Sequence, residues 1–288
     1  MMTISEKNRS LIRKLVHDYS GILIERVTTR QLEKKVDEQM RHLGIIDQRD
    51  YIAIIEDYEH DSAPLEELVS ELTVSESYFF RNPAQFEFIA KIFLPDLFAL
   101  RGCDMPCKIW SAGCSRGEEA YSIAMMAKHF MATRPGARFS INAGDINTRN
   151  LHAAGEAVYG ARSLRDKLES LETSLGFCPG IKDGAGEFSI ARDLREMVSF
   201  QKLNLKNTQN LKCMMGSDII FCRNVLIYFD DDLRTQLIDE FYKVLAPGGI
   251  LLLGESECLP ASSAHFDLLS HKNAYAYRKP YAIRQTDD

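Results

Sequence analysis

The chain has 288 residues, 45% of them apolar and 26% charged, with 35 Lys and Arg against 41 Asp and Glu. This is the balance of a globular chain of one large or two ordinary domains, and it excludes a disordered, collagen-like or disulfide-framed protein. A net charge of −6 offers no overall attraction to a polyanion, so nucleic acid is not the expected partner. No apolar run approaches the roughly 18–20 residues of a membrane span. Met1 to Arg9 is polar and lacks the apolar core of a secretory leader. The seven cysteines fall at 103, 107, 114, 178, 213, 222 and 258, with no Cys-x-x-Cys pair. Cys103 and Cys107 have no second pair of Cys or His at metal-site spacing, so no metal is expected and the thiols read as reduced, cytoplasmic ones.

Charge is uneven near the start. Residues 1–49 carry ten Lys/Arg against seven Asp/Glu, whereas residues 50–72 carry eight acids and no base. Such a switch suggests a small helical unit whose faces meet different neighbours. Between Arg30 and Leu43 the apolar Leu32, Val36, Met40 and Leu43 recur at helical steps, and Gly44 follows as a stop. Arg30, Lys34 and Arg41 project together from the opposite side of that helix, with Asp37 among them. They form either a solvated face or a docking surface for an acidic partner. Two further short helices are predicted over 51–58 and 65–72. Thr73 to Pro83 interrupts the pattern, which resumes over 84–101. The expected division is a helical domain over 1–72, a junction over 73–83 and a larger domain over 84–288.

From Cys107 strands and helices alternate. Lys108–Ser111 reads as a strand, followed by the turn Ala112-Gly113-Cys114-Ser115-Arg116-Gly117 and a helix over 118–130. A second strand over 138–143 ends in Gly144-Asp145. A helix over 147–154, a buried strand over 218–222, a helix over 231–245, a strand over 250–254 and a hairpin over 266–278 complete the series. This alternation implies a mainly parallel, doubly wound α/β sheet. The stretch 176–202, with Pro179, Gly180, Gly184 and Gly186, departs from it and reads as an inserted β-rich excursion.

Three places carry chemistry. Gly113 and Gly117 let a ligand approach the backbone ahead of a helix start. The turn is neither a dinucleotide fingerprint nor a P-loop. Glu118 and Glu119 at the helix start would repel phosphate and suit a ligand with a cationic part, although acids are common in a first helical turn for dipole reasons alone. Asp145 stands where an acid accepts hydrogen bonds from ribose hydroxyls in nucleoside-binding α/β folds. A nucleoside joined to a cationic amino acid is S-adenosylmethionine. The third place, Phe221-Cys222-Arg223-Asn224-Val225-Leu226-Ile227-Tyr228-Phe229, follows the strand expected beside the first one. It lacks the prolines of the Asn-Pro-Pro-Tyr loop that methylates base amino groups, which argues against a nucleic-acid acceptor.

Together these segments resemble a known family. Thr73-x-x-x-Ser77-x-Phe79-Phe80-Arg81, Trp110-Ser111-Ala112-Gly113-Cys114-Ser115-x-Gly117-Glu118-Glu119-x-Tyr121-Ser122-Ile123-Ala124, Asp145-Ile146 and Phe221-Cys222-Arg223-Asn224-Val225-x-Ile227-Tyr228-Phe229 are similar to those of the CheR-type chemoreceptor glutamate methyltransferases. The resemblance covers nearly the whole chain. It implies a class I methyltransferase domain with a doubly wound sheet, a small all-helical N-terminal domain and an inserted β-rich subdomain. It implies S-adenosylmethionine as methyl donor, S-adenosylhomocysteine as product and no metal. The implied cofactor contacts are Ser75, Ser77, Arg81, Gly113, Glu119, Asp145, Asn204, Leu205, Arg223 and Asn224. The implied partner is the cytoplasmic domain of methyl-accepting chemoreceptors, touched by the β insert and by the basic N-terminal helix. That helix is less basic here than is usual in the family, because Glu33, Asp37 and Glu38 interrupt it. Arg116 stands where a small hydroxyl residue is common. A cytoplasmic monomer without membrane insertion is expected.

A glutamate acceptor arrives ionised, so the site needs alignment rather than a base. Arg81, orienting the acceptor carboxylate and the cofactor, and Tyr228, donating a hydrogen bond, are the catalytic candidates. The competing expectations are a non-catalytic binding module and a methyltransferase for a small molecule or nucleic acid.

Overall fold

The computed structural model describes residues 3–24, 27–60, 62–73, 76–164, 181–182, 187–260, 263 and 265–281. Four helices come first: α1 (Glu6–Ser20), α2 (Thr29–His42), α3 (Gln48–Glu56) and α4 (Ala63–Leu72). The helix α1 is not among the predicted elements, because its sequence is strongly polar and only Ile12, Leu15, Val16 and Ser20 are buried. Its ends are nonetheless written locally. Ser5 Oγ accepts from Asn8 N at 3.2 Å, and Gly21 closes the other end at a φ of 74°. Thr28 and Gln31 form a capping box at the start of α2. The four helices bury a common cluster that includes Val16, Leu32, Val36, Tyr51, Ile55 and Leu68.

A helical run follows, α5 (Pro83–Phe88) and α6 (Leu94–Arg101) joined by one π turn at Ile89–Phe93. Then come β1 (Cys107–Ala112), α7 (Glu118–Thr133), β2 (Phe139–Asp145), α8 (Thr148–Glu156) and three short strands, β3 (Val158–Gly160), β4 (Ile181–Lys182) and β5 (Glu187–Ser189). The chain continues through α9 (Arg192–Arg195), β6 (Val198–Lys202), β7 (Ser217–Cys222), α10 (Asp231–Val244), β8 (Leu245–Leu253), β9 (Asp267–His271) and β10 (Ala274–Arg278).

Seven strands make one sheet in the order β6-β2-β1-β7-β8-β10-β9. The first five run parallel, and β10 is antiparallel to both of its neighbours. All six residues of β7 are buried, as a central parallel strand covered on both faces requires. The chain leaves β1 toward β2 on one side and reaches β7 on the other, so the strand order reverses at β1. In open α/β sheets that reversal opens a crevice at the carboxyl ends of the strands.

The stretch read as an excursion over 176–202 divides in two. Val198–Lys202 is not part of it but pairs parallel with β2, extending the central sheet. The small sheet is instead β3-β5-β4, and it begins as early as Val158. Residues 176–180 and 183–186 of that expectation lie outside the described residues. Tyr159 and Phe188 from the small sheet enclose Phe79 of the junction, with ring centroids 4.9 and 5.5 Å away.

The charge switch in the sequence has a structural counterpart. The acids of α4 face bases of β6 and α8: Glu66 pairs with Lys202 of β6, and Glu67 and Glu71 both pair with Arg149 of α8. Asn147 Nδ2 donates to Ser70 O and Thr73 Oγ1, both at 2.9 Å, while its Oδ1 caps α8. The acids of α3 and its following turn, Asp50, Glu56, Asp57 and Glu59, are exposed.

Candidate active site

A cavity of about 530 Å³ lies at the carboxyl ends of β1, β2, β6 and β7. That volume falls within the roughly 300–1,000 Å³ of small-molecule sites. The sequence candidates Ser77, Arg81, Gly113, Glu119, Asp145, Asn204, Leu205, Arg223, Asn224 and Tyr228 all line it. Ser75 lies outside the described residues.

Each wall has a local cause. Gly113 ends β1 at a φ of 83°, and a Cβ there would stand 2.5 Å from Val225 Cγ2. The turn therefore packs directly on the loop after β7. The next residues place Ser115 N 2.7 Å from Asp145 Oδ2, while Asn147 N donates to Asp145 Oδ1 at 2.8 Å. Both carboxylate oxygens are thus oriented by backbone N–H groups. Burial pushes the Asp145 carboxyl up, and the N–H groups of Asn147 and Ser115 pull against it.

The two acids at the start of α7 part company. Glu119 lines the cavity, accepts from Ser111 Oγ at 2.6 Å and lies 3.5 Å from Arg223. Burial pushes its carboxyl up, opposed by Arg223 and Ser111. Glu118, expected to share that role, turns the other way: its carboxylate accepts from Ser163 Oγ at 3.0 Å and does not line the cavity. The helical step of about 100° per residue is enough to send neighbouring side chains to different sides.

Arg223 is buried, its side chain 2% exposed. It sits over Phe86 and donates from one Nη to Arg81 O, while its Nε and other Nη have no hydrogen-bond partner within the protein. Burial pulls this guanidinium down and Glu119 holds it up. A buried pair of this kind is costly unless its remaining donors are satisfied, so the unpaired N–H groups mark a place for an acceptor. Two non-glycine residues with positive φ line the cavity, Ser115 (51°) and Asn224 (58°), and two more, Phe80 (50°) and Asn82 (56°), flank the lining residue Arg81 in sequence. Strain of this sort collects at ligand sites.

The roof comes from the helical segment, which sequence reasoning did not connect with the site. Ile22, Ile24 and Leu72 line the cavity. Leu23 N donates to Tyr228 O at 2.8 Å, and Asn204 Nδ2 donates to Tyr19 O at 2.7 Å. Lys206 Nζ reaches His17 O at 3.0 Å, and His17 Nε2 lies 2.9 Å from Asp230 Oδ2. Asn204 therefore holds the end of α1 as well as lining the wall. The local signal available in the sequence was the run of apolar residues just after Gly21. Among the described residues no group of three or more His, Cys, Asp or Glu is arranged to hold a metal ion. No described helix is long and apolar enough to cross a membrane.

The strand order, the glycine turn after β1, the acid closing β2 and the enclosed cavity at the reversal define a class: the methyltransferases that use S-adenosylmethionine. The residues fit that cofactor, since acids face the cavity for its cationic part and Arg223 has unpaired donors for a carboxylate. Residues 75–275 match the family described as CheR methyltransferase, SAM binding domain. Chemotaxis protein methyltransferase 2 of Vibrio cholerae serotype O1 is 30% identical over 280 residues, 97% of this chain and 95% of the relative. Chemotaxis protein methyltransferase of Borreliella burgdorferi is 32% identical over 263 residues, 90% of each chain. That of Escherichia coli K12 is 29% identical over 279 residues, 96% of this chain and 93% of the relative. The chain belongs to the CheR methyltransferase family, and its activity is S-adenosylmethionine-dependent methyl transfer in chemotaxis.

Proposed function

We propose that the acceptor is the side-chain carboxylate of glutamates on the cytoplasmic domain of chemoreceptors, and the product a glutamate methyl ester. The observation that carries this reading is one cavity lined by Glu119, Asp145, Arg81 and Tyr228 together, with no histidine among its described lining residues. Bound S-adenosylmethionine supplies an electrophilic methyl group on a sulfonium sulfur. A glutamate acceptor, with a pKa of about 4.3, is already ionised at neutral pH, so its attack needs no base and no metal.

The chain's own residues then hold and align. Glu119 attracts the cofactor's ammonium group, and Asp145 accepts from its ribose hydroxyls. Gly113, Asn204, Leu205, Asn224 and Ser77 shape the walls, and the family resemblance adds Ser75 as a cofactor contact. Ile22, Ile146 and Val225 offer an apolar surface to the base. Arg223 and Arg81 present positive charge to carboxylates. Arg81 orients the acceptor, and Tyr228 donates a hydrogen bond beside it. Attack neutralises both ions, so a site that bound either ion too firmly would slow the step. Its service is alignment and exclusion of water, which is worth up to roughly 7–11 kcal/mol. The small sheet β3-β5-β4 and the exposed bases of α2 are the receptor contacts. In α2, Lys34 lies 3.7 Å from Glu38 and Arg41 3.4 Å from Asp37, so a receptor surface must compete with these pairs. The protein works as a cytoplasmic monomer that neither enters the membrane nor binds nucleic acid.

Calorimetric titration with S-adenosylhomocysteine tests the cofactor site: wild type binds, and Asp145→Ala loses most of the affinity. Labelled methyl transfer to receptor-bearing membranes tests the acceptor, since a glutamate ester releases its label in base. No binding to the wild type overturns the assigned cofactor site, and a base-stable label overturns the glutamate acceptor.

A further inference from the structure

We propose that Glu257 is a positioning residue that holds the loop from Asn224 to Phe229 in the shape methyl transfer needs. This rests on the roles given above to Asn224 and Tyr228. The loop leaves β7 at its carboxyl end and turns at once, with Asn224 at a φ of 58°. Its internal hydrogen bonds are few: Tyr228 N donates to Val225 O and Phe229 N to Leu226 O, both at 3.1 Å. The N–H groups of Asn224 and Ile227 look elsewhere for partners.

They find one carboxylate. Glu257 Oε2 accepts from Asn224 N at 2.6 Å and from Gly254 N at 2.7 Å, and its Oε1 accepts from Ile227 N at 3.2 Å. Glu257 N returns a bond to Gly254 O at 3.0 Å, closing a tight turn after β8. Two segments far apart in sequence are joined through this side chain. A Cβ on Gly254 would meet Glu257 Oε2 at 2.7 Å and Asn224 Cγ at 2.9 Å, so the close approach requires glycine. Glu257 itself does not line the cavity. It acts through the loop, and no role in contacting a ligand explains its three backbone donors.

The chemistry of the side chain is specific. Two oxygens that only accept can take three N–H groups. Glutamine has one such oxygen, and its amide would set N–H against N–H at Ile227 or at the Asn224–Gly254 pair. Aspartate is one methylene too short to reach both sides. A loop freed in this way keeps its residues but loses their placement, and cofactor affinity, spread over many contacts, suffers less than alignment.

The experiment is steady-state methylation of receptor-bearing membranes by Glu257→Gln, Tyr228→Phe and the double variant, with S-adenosylhomocysteine affinity as the check on folding. For Glu257→Gln, kcat is expected to fall about a hundredfold, the cost of ångström-scale misplacement. Its KM for S-adenosylmethionine should stay within about threefold of wild type, as loss of an interaction made only in the transition state leaves it. Adding Tyr228→Phe on top should cost far less than Tyr228→Phe costs alone, because residues acting through one loop couple. A kcat within about twofold of wild type, or losses that multiply in full, overturns the proposal. Gly254→Ala, which crowds the same carboxylate, should reproduce the fall in kcat; wild-type kcat there counts against the proposal too. If Tyr228→Phe alone keeps the wild-type rate, the role of Tyr228 fails, and Glu257 then stands or falls on its own kcat and KM.

Discussion

Gly113→Ala probes the contact that sets the floor of the cofactor cavity. Two separable costs follow from the structure. At a φ of 83° an alanine pays the left-handed penalty, about 1–2 kcal/mol. Its Cβ would also stand 2.5 Å from Val225 Cγ2, and such overpacking costs typically about 1–3 kcal/mol. The sum is about 2–5 kcal/mol of folding stability, or less if the loop yields and the cavity takes up the movement. Denaturant unfolding of wild type, Gly113→Ala, Val225→Ala and the double variant separates the two. Val225→Ala removes the clashing methyl groups and so should recover the packing part while leaving the backbone part. S-adenosylhomocysteine affinity of Gly113→Ala should fall as well, because Gly113 itself lines the cavity and its turn must shift to relieve the clash. Two additive single costs, with no relief in the double variant, would refute the direct packing of the first turn on the loop after β7.

Three other outcomes are expected. Burial first, with Arg223 and Ser111 opposing it, holds the Glu119 carboxyl high, and burial likewise lifts Asp145 against the N–H groups of Asn147 and Ser115. The ligand's ammonium group favours ionised Glu119 and its ribose hydroxyls, as donors, favour ionised Asp145, so affinity for S-adenosylhomocysteine should be flat above these raised values and should fall, with proton release on binding, as pH drops through them. Calorimetry in buffers of different ionisation enthalpy checks this, and an affinity unchanged down to a pH of about 4, where free carboxyls titrate, contradicts it. Asn147→Ala takes one side-chain donor from the Ser70 carbonyl, leaving it Thr73 Oγ1, and uncaps α8, and should cost about 1–3 kcal/mol in denaturant unfolding; a cost under about 0.5 kcal/mol removes its linking role. Arg149→Ala breaks two largely exposed pairs to α4 and should cost no more than about 1 kcal/mol, vanishing at high salt; a large, salt-independent loss contradicts a screened surface interaction.

Much of the fold was legible because its signals are local. The alternation of short apolar strands with amphipathic helices announces a parallel sheet. The glycines at 113 and 117 and the acid at 145 mark the turns where such a sheet binds ligands. The polar helix α1 escaped because its buried stripe is narrow, although Ser5 and Gly21 bracket it. The strand β6 was drawn into the insert because its sequence looks like any short β segment. Only pairing with β2 shows that it belongs to the central sheet. Glu118 and Glu119 looked alike because both are acids in one helical turn, and their different partners come from separate parts of the chain, Ser163 and Arg223.

The sequence by itself determined the type of sheet, the order of its turns and the residue types that suit a charged nucleoside, because each depends on neighbours a few positions apart. The tertiary structure alone decided that the helical segment roofs the cavity, that Asn204 ties down the end of α1 and that Glu257 fastens the loop beyond β7. These are contacts between residues 185 and 33 positions apart. No local pattern encodes them, since their energy comes from groups brought together only when the sheet and its flanking helices close.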